Sequence, residues 1–349
     1  MACLRGPRTQ GRTSNGGGWH LKSITFGKTG LEVSRLAFGT WAFSSDWGQA
    51  DEDAAITMIQ RARDLGINFF DTAQQYGFGE SERILGKALR DDFARARDEL
   101  VIATKGGLRK TDTGLVRDAS REYLRSGVES SLRALGVDYI DLYLVHWPDP
   151  TTPAAETGEA LAELVSEGKI RHVGVSNYDT TQIEELSATL PVEAVQPPYH
   201  LFRRDIESDL LPYCHAHDIG VMVYGPLAHG LLTGTMKPDT SFADGDWRGK
   251  SPIFTGEDYL RNLKVVDDLS HLAIDLGVTT SQLAIAWTLA QPGVHTAIMG
   301  AQHVTYLQDS AGAADVTLTD ADLAAIEDIM KSATPVGGPA PEMHEKKAS

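Results

Sequence analysis

From residue 22 onward the chain alternates between two periodicities. Short apolar and β-branched runs recur as RLAFG (35–39), INFFDT (67–72), LVIATK (100–105), YIDLYLVHW (139–147), IRHVGVS (170–176), VEAVQ (192–196), GVMVYG (220–225) and HTAIMG (295–300). They carry apolar residues on both faces, the pattern of strands covered on two sides. Between them lie stretches of helical spacing: 51–66, 81–91, 120–136, 157–169, 179–190, 206–217, 279–291 and 319–330. Several begin with Asp, Ser or Thr, as N-caps do, and several close on Gly66, Gly136 or Gly168, as C-terminal caps do.

Eight strands, each followed by a helix, predict a parallel sheet closed into a (β/α)₈ TIM barrel. A doubly wound sheet is the weaker reading, because Gly39-Thr40-Trp41 after the first strand lacks the G-x-G-x-x-G turn of that fold. The segment KSITFGKTGLEVSR predicts a hairpin turning at Lys28-Thr29-Gly30, placed to close the bottom of the barrel. Residues 232–258 break the rhythm with Gly, Pro, Asp and Thr, and read as a long loop after strand 7. The expected organisation is a disordered arm over 1–20, a barrel over 21–333 and an irregular tail over 334–349.

Charge narrows the partners. The 349 residues carry a formal net charge of −16, which argues against non-specific binding to nucleic acid or to an anionic membrane. No apolar run has the length of a membrane span, and the basic, Gly-rich start lacks the apolar core of a secretory signal. Two cysteines, Cys3 and Cys214, form no disulfide framework, so a cytoplasmic setting is expected. A monomer or weak oligomer is expected, since no heptad or interface stripe stands out.

In such a barrel the chemistry lies at the C-terminal ends of the strands. Asp71 ends strand 2, with Tyr76 in its loop; Lys105 ends strand 3; His146 ends strand 4, before Trp147. Ser176-Asn177 ends strand 5, Gln196 ends strand 6 and Tyr224 ends strand 7. Taken singly, each has a plainer reading: a helix cap, a surface lysine, a hydrogen-bonded core histidine. Their joint placement at one end of successive strands favours chemistry. Asp and Lys facing across a barrel mouth would pair. The ammonium would favour the phenolate of a neighbouring tyrosine, which could then donate and accept a proton near neutral pH. The set has no cluster of metal ligands, so no metal is expected.

These motifs resemble the aldo-keto reductase family: GTW (39–41), DTAQQYGFGESE, ATKGG (103–107), DLYLVHWPDP (141–150), EGKIRHVGVSN (167–177), QPPYHLF (196–202), YGPLAHGLLTG (224–234) and MGAQ (299–302). The wording is nearest to the bacterial general stress protein 69-like branch. The resemblance covers about residues 22–330. It implies a catalytic tetrad in which Tyr76 is the proton donor, Lys105 lowers the Tyr76 pKa, Asp71 holds Lys105 and His146 orients the substrate carbonyl.

It also implies a nicotinamide cofactor. Ser176, Asn177 and Gln196, near Asp71, match the residues that bind the carboxamide, and Tyr224 matches the aromatic under the nicotinamide ring. Gly225, Pro226, Leu227, Ala228 and His229 match the segment along the pyrophosphate. Gly39, Thr40 and Trp41 match the loop near the ribose. Gly300, Ala301, Gln302, Tyr306, Asp309 and Ser310 match the adenosine end. Family members commonly grip the 2′-phosphate of NADP(H) with a cation just after that Gly-Ala, where this chain has Gln302 and His303. Arg248, Lys250 or Arg261 would have to supply the charge, so NADP(H) is favoured with NAD(H) as the second candidate. The substrate, a small carbonyl compound or alcohol, would meet Trp41, Trp47, Tyr76, His146 and Trp147. Two rival classes are a regulatory redox-sensing protein resembling potassium-channel β subunits, and a Schiff-base enzyme using Lys105.

Overall fold

In the computed structural model, residues 21–336 are described, apart from 44–50, 113, 244, 245 and 302, and at 250 and 252 only the backbone is described. Trp47, Gln302, the expected arm 1–20 and the tail from 337 lie outside the described residues.

A hairpin of β1 (Ser23–Thr25) and β2 (Glu32–Ser34) comes first. Its turn is a short 3-10 segment closed by Gly30 at φ 70°, a conformation that favours glycine. Phe26 from this turn is fully buried against Phe69, and the Lys28 amide donates to the Asp218 carbonyl at 2.7 Å. The hairpin therefore plugs the N-terminal end of the barrel, as its position in the sequence suggests.

The barrel strands are β3 (Leu36–Gly39), β4 (Phe69–Asp71), β5 (Val101–Gly106), β8 (Ile140–Val145), β9 (Ile170–Ser176), β10 (Ala194–Gln196), β11 (Gly220–Tyr224) and β12 (Thr296–Met299). They pair in parallel and close in chain order, β12 returning to β3. All eight predicted strands are present and the (β/α)₈ barrel stands. Around it run α1 (Glu52–Asp64), α2 (Glu80–Ala88), α3 (Arg90–Ala96), α4 (Arg121–Leu135), α5 (Ala154–Ser166), α6 (Thr180–Ser187), α7 (Leu210–Ala216), α8 (Gly256–Leu276), α9 (Thr280–Ala290), α10 (Val304–Ala311) and α11 (Asp320–Met330). The caps follow the sequence: Asp179, Thr279 and Thr319 each make a reciprocal capping box, and Gly136 ends α4 in the left-handed region.

The barrel interior is a cluster of Ala37, Phe69, Val101, Ala103, Leu142, Leu144, Ala194, Met222 and Ile298 with Phe26 below. Strand side chains alternate with a period of two. From Phe69, Ala103, Leu144, Ala194 and Met222 the next inward positions are Asp71, Lys105, His146, Gln196 and Tyr224. The same alternation that fills the core thus aims the polar set into the mouth.

Two elements differ from the expectations, and the start of the irregular tail is tied down. Residues 108–117 form a two-stranded hairpin, β6 (Leu108–Thr111) and β7 (Gly114–Arg117), between β5 and α4. The long loop ends at 255, because Gly256 opens α8, the longest helix described, with Glu257 and Asp258 in its first turn. The start of the tail is packed: the Val336 amide donates to the Phe202 carbonyl at 2.6 Å, and Asn262 bonds the Thr334 backbone twice. No single helix among the described residues is long and apolar enough to cross a membrane.

Candidate active site

Lys105 is buried at the end of β5. Its ammonium donates to Asp71 Oδ2 at 2.8 Å, to the Thr72 carbonyl at 2.9 Å and to the Tyr76 hydroxyl at 3.3 Å. The Thr72 carbonyl was not among the predicted partners, since a backbone acceptor carries no residue-type signal. The other carboxylate oxygen of Asp71 accepts from Gln196 Nε2 at 2.8 Å. Burial pushes the Asp71 carboxyl up, opposed by the Lys105 ammonium and the Gln196 amide.

Tyr76 is brought to Lys105 by a tight loop. Its amide donates to the Ala73 carbonyl at 3.0 Å, and Gly77, Phe78 and Gly79 follow with φ of 66°, 51° and 97°. The two glycines make this turn without strain; Phe78 takes a conformation that is costly for a large side chain. The Tyr76 and His146 rings meet edge to face at 5.8 Å, and Trp41 lies 6.5 Å from Tyr76 on the other side. Burial, with Lys105 nearby, holds the His146 imidazolium pKa well below its ordinary value, so the ring is neutral. A neutral imidazole beside a phenol can donate one N–H to a carbonyl oxygen and stay uncharged.

Asn177 joins this group to the next strands. At φ 63° its amide nitrogen donates to the His146 carbonyl at 3.1 Å and to Ser176 Oγ at 3.0 Å. Its oxygen accepts from the Tyr224 hydroxyl at 2.9 Å. Ser176 in turn donates to the Gln196 carbonyl at 2.9 Å. After Tyr224, Gly225 has φ 68°, and Leu227 at φ −96° and ψ 13° is followed by Ala228 and His229 at φ 48° and 55°. The Ala228 and Gly230 amides are taken by the Gly225 and Leu227 carbonyls at 2.9 and 3.0 Å, so an anion here would meet the other amides of the turn.

His229 packs edge to face on Trp41 at 6.4 Å and on Trp247 of the long loop at 4.9 Å. Burial pushes its imidazole pKa down to about 4. Arg248 of the same loop bonds Asp246 in a two-pronged pair at 2.7–3.1 Å and reaches the His229 carbonyl at 3.3 Å. Gly39 stays without a side chain because a Cβ there would meet Ile298 at 2.7 Å. The Thr40 amide donates to the Asp71 carbonyl at 2.9 Å.

A chain of hydroxyls, amides and backbone groups thus runs from Gly39 to His229 around the mouth. This donor set, with the Tyr224 ring at its centre, fits a nicotinamide carboxamide and a pyrophosphate. The residues after β12 form a separate stretch. Tyr306 is 62% exposed against His303, while Ser310 is buried. Asp309 accepts from Thr279 Oγ1 at 3.0 Å and Gln282 Nε2 at 3.2 Å, at the start of α9. Trp147 packs with Leu108 and Tyr224, and the Arg117 guanidinium lies 5.3 Å from its ring centre. The β6–β7 hairpin therefore supplies a wall that the sequence reading missed; the turn-forming Asp112-Thr113-Gly114 between Leu108 and Leu115-Val116 was the available signal.

Against known proteins, residues 35–331 match the model of the aldo/keto reductase family. The chain belongs to the aldo/keto reductase family. It is 41% identical over 321 residues to aldo-keto reductase YhdN of Bacillus subtilis (strain 168), covering 91% of this chain and 96% of that protein. It is 36% identical over 318 residues to the NADH-specific methylglyoxal reductase of Escherichia coli (strain K12), covering 86% and 96%. Among solved structures, the glycerol dehydrogenase AKR11B4 from Gluconobacter oxydans superposes with a TM-score of 0.82 at 36% identity, over 92% of this chain and 98% of that one. As a member of the family this aldo/keto reductase is an NAD(P)-dependent oxidoreductase. Among its described residues, no group of three or more His, Cys, Asp or Glu is placed to hold a metal.

Proposed function

We propose that this aldo/keto reductase reduces small aldehydes and ketones to alcohols, with Tyr76 delivering the proton. The observation that supports this most is the Tyr76 hydroxyl 3.3 Å from an ammonium that is itself held by a buried carboxyl. The charge beside Tyr76 favours phenolate, so the phenol releases its proton more readily than it would without Lys105. Neutral His146 donates to the carbonyl oxygen and holds it toward the Tyr76 hydroxyl. Asp71 holds Lys105 in place through the 2.8 Å ion pair. Ser176, Asn177, Gln196 and Tyr224 would hold the nicotinamide, which supplies the hydride. In alcohol oxidation the same phenol takes the proton back. Trp41 and Trp147 would wall the substrate, with Trp47 as a further candidate.

The coenzyme preference we propose is weak. The position after Ala301 offers Gln302 in place of a cation, and Arg248 is already engaged by Asp246 and the His229 carbonyl. NADP(H) keeps the edge only if Arg248, Lys250 or Arg261 turns to the 2′-phosphate. We expect NADPH and NADH to differ by less than tenfold in Kd, about 1.4 kcal/mol. Titrating each into the protein and reading tryptophan quenching tests this, beside a Gln302→Arg variant that should tighten NADPH alone. Failure of both coenzymes to bind would remove the reductase reading and leave Lys105 to be tested by borohydride trapping.

A further inference from the structure

Behind the strand that carries Lys105 lies a second carboxyl that the proposed chemistry does not use. Glu82, in the first turn of α2, is 1% exposed. Its Oε1 accepts a 2.6 Å hydrogen bond from Thr104 Oγ1, while Oε2 has no partner among the described residues. Thr104 immediately precedes Lys105 on β5. By strand alternation Thr104 faces the helices and Lys105 the mouth. The carboxyl therefore grips the back of the strand whose front holds the catalytic lysine.

The surroundings are polar for a layer between barrel and helices. Ser131 on α4, Tyr143 on β8 and Gln74 in the Tyr76 loop each bury a polar oxygen without a hydrogen-bond partner among the described residues. Two glycines make the room: a Cβ on Gly106 would collide with the Tyr143 hydroxyl, and one on Gly127 of α4 would stand 3.0 Å from Gln74 Oε1. Burial pushes the Glu82 carboxyl up, and the Thr104 hydroxyl and the Lys105 charge pull it back. Tyr143 is the other titratable group facing it. A buried carboxyl is costly for stability, and an apolar residue of similar volume would serve packing as well or better.

The same helical turn reaches the rest of the mouth. Ser81 Oγ donates to the Thr40 carbonyl at 3.0 Å and to Thr40 Oγ1 at 2.8 Å, and the Ser81 amide donates to the Tyr76 carbonyl at 3.2 Å. The first turn of α2 is thus bonded to the loop after β3, to the Tyr76 loop and to β5.

We propose that Glu82 is a positioning residue: through Thr104 it locks the end of β5 against α2, and so sets the separation between Lys105 Nζ and the Tyr76 hydroxyl. The proposal rests on the reading of Tyr76 as proton donor. Its test uses Glu82→Ala, Glu82→Gln and the near-isosteric Thr104→Val, with three readouts. These are coenzyme Kd from tryptophan quenching, kcat, and Tyr76 ionisation from an ultraviolet difference titration referenced to Tyr76→Phe. Glu82→Ala and Thr104→Val should lower kcat by about tenfold to a hundredfold, leave coenzyme Kd within about twofold, less than 0.5 kcal/mol, and move Tyr76 ionisation to higher pH. Glu82→Gln, which keeps an oxygen for the Thr104 hydroxyl, should recover most of the loss.

Unchanged kcat and unchanged Tyr76 titration in folded Thr104→Val would overturn the proposal and leave Glu82 a packing residue. So would a Glu82→Gln loss as large as that of Glu82→Ala. If Glu82→Ala does not fold, Thr104→Val and Glu82→Gln decide the question. Full turnover by Tyr76→Phe would instead remove the proton-donor reading, whatever the Glu82 variants do.

Discussion

The Lys105 ammonium lies 2.8 Å from Asp71 Oδ2, with both side chains shut away from water. Removing either partner strands the other as a buried charge, which typically costs about 3–5 kcal/mol. Lys105→Met should therefore lower the urea midpoint markedly, and adding Asp71→Asn should recover part of the loss. Tyr76→Phe removes only a hydroxyl, so its stability should change by less than about 1.5 kcal/mol. Its carbonyl reduction should nevertheless fall by about 10²–10⁴-fold. Equal stability losses in all three variants would contradict the ion pair as the organising contact.

Asn177 couples the proposed coenzyme wall to His146, and its bond to Tyr224 can be removed by one substitution. Tyr224→Phe keeps the ring and deletes one hydroxyl, whose hydrogen bond to Asn177 measures 2.9 Å. One such bond is worth about 0.5–1.5 kcal/mol, so coenzyme Kd should rise by roughly twofold to tenfold. Tyr224→Ala loses the stacking face as well and should weaken binding further. Tryptophan quenching by NADPH and NADH measures both variants; equal Kd values for Phe and Ala would mean that the ring contributes nothing.

The mouth was legible because two signals coincide there. Apolar runs mark the strands, and the first polar residue at the end of each run, Asp71, Lys105, His146 or Gln196, has the parity of the barrel core. A polar residue on that parity has nowhere to point but the mouth. The β6–β7 hairpin carried no such signal, because it pairs only with itself and its exposed Arg109 and Lys110 mimic a loop. Helix α8 did carry one, with Tyr259, Val266, Leu269 and Ala273 on its buried face before Gly277, but the Gly- and Pro-rich stretch ahead of it masked the start. In sequence Glu82 is one acidic residue near the start of a helical stretch; only the packing of α2 on β5 shows that it is buried.

At the opposite end of the barrel Asp141 should govern stability without touching chemistry. It is 1% exposed at the start of β8, accepts from the Ile102 amide at 2.9 Å and pairs with Arg97 at 2.6 Å and Arg171 at 3.5 Å. Both guanidiniums also lie over the Tyr139 ring, at 4.1 and 3.5 Å. Asp141→Ala leaves Arg97 short of its buried partner and should cost about 3–5 kcal/mol. The folded fraction should keep wild-type kcat and coenzyme Kd. A fall in kcat at full folding would show that strain at the barrel bottom reaches the mouth.

Acid should act through the buried histidines before the surface carboxylates titrate, opposed by the buried carboxyls of Asp71, Glu82 and Asp141, whose raised pKa makes the folded state take up their protons first. His146 and His200 are buried, and burial holds both imidazolium pKa values well below the ordinary 6.5; the Lys105 charge adds to this for His146, and His229 and Arg203 for His200. In the unfolded chain both return to about 6.5. Below that pH the unfolded state therefore binds more protons than the folded one, and folding stability falls as pH falls. Each group contributes a slope approaching about 1.4 kcal/mol per pH unit until its folded value is reached. Surface carboxylates follow lower down: Arg83 and Lys87 hold Glu52 at about 2, so its contribution is present above the unfolded value near 4.5 and is lost as pH falls toward 2. Urea midpoints should thus be flat above pH 7 and drop between pH 6.5 and 5. In His200→Gln that drop should shrink by about a third, because one of the three strongly shifted imidazoles, His146, His200 and His229, is gone. An unchanged slope in His200→Gln would mean that His200 takes up its proton without unfolding.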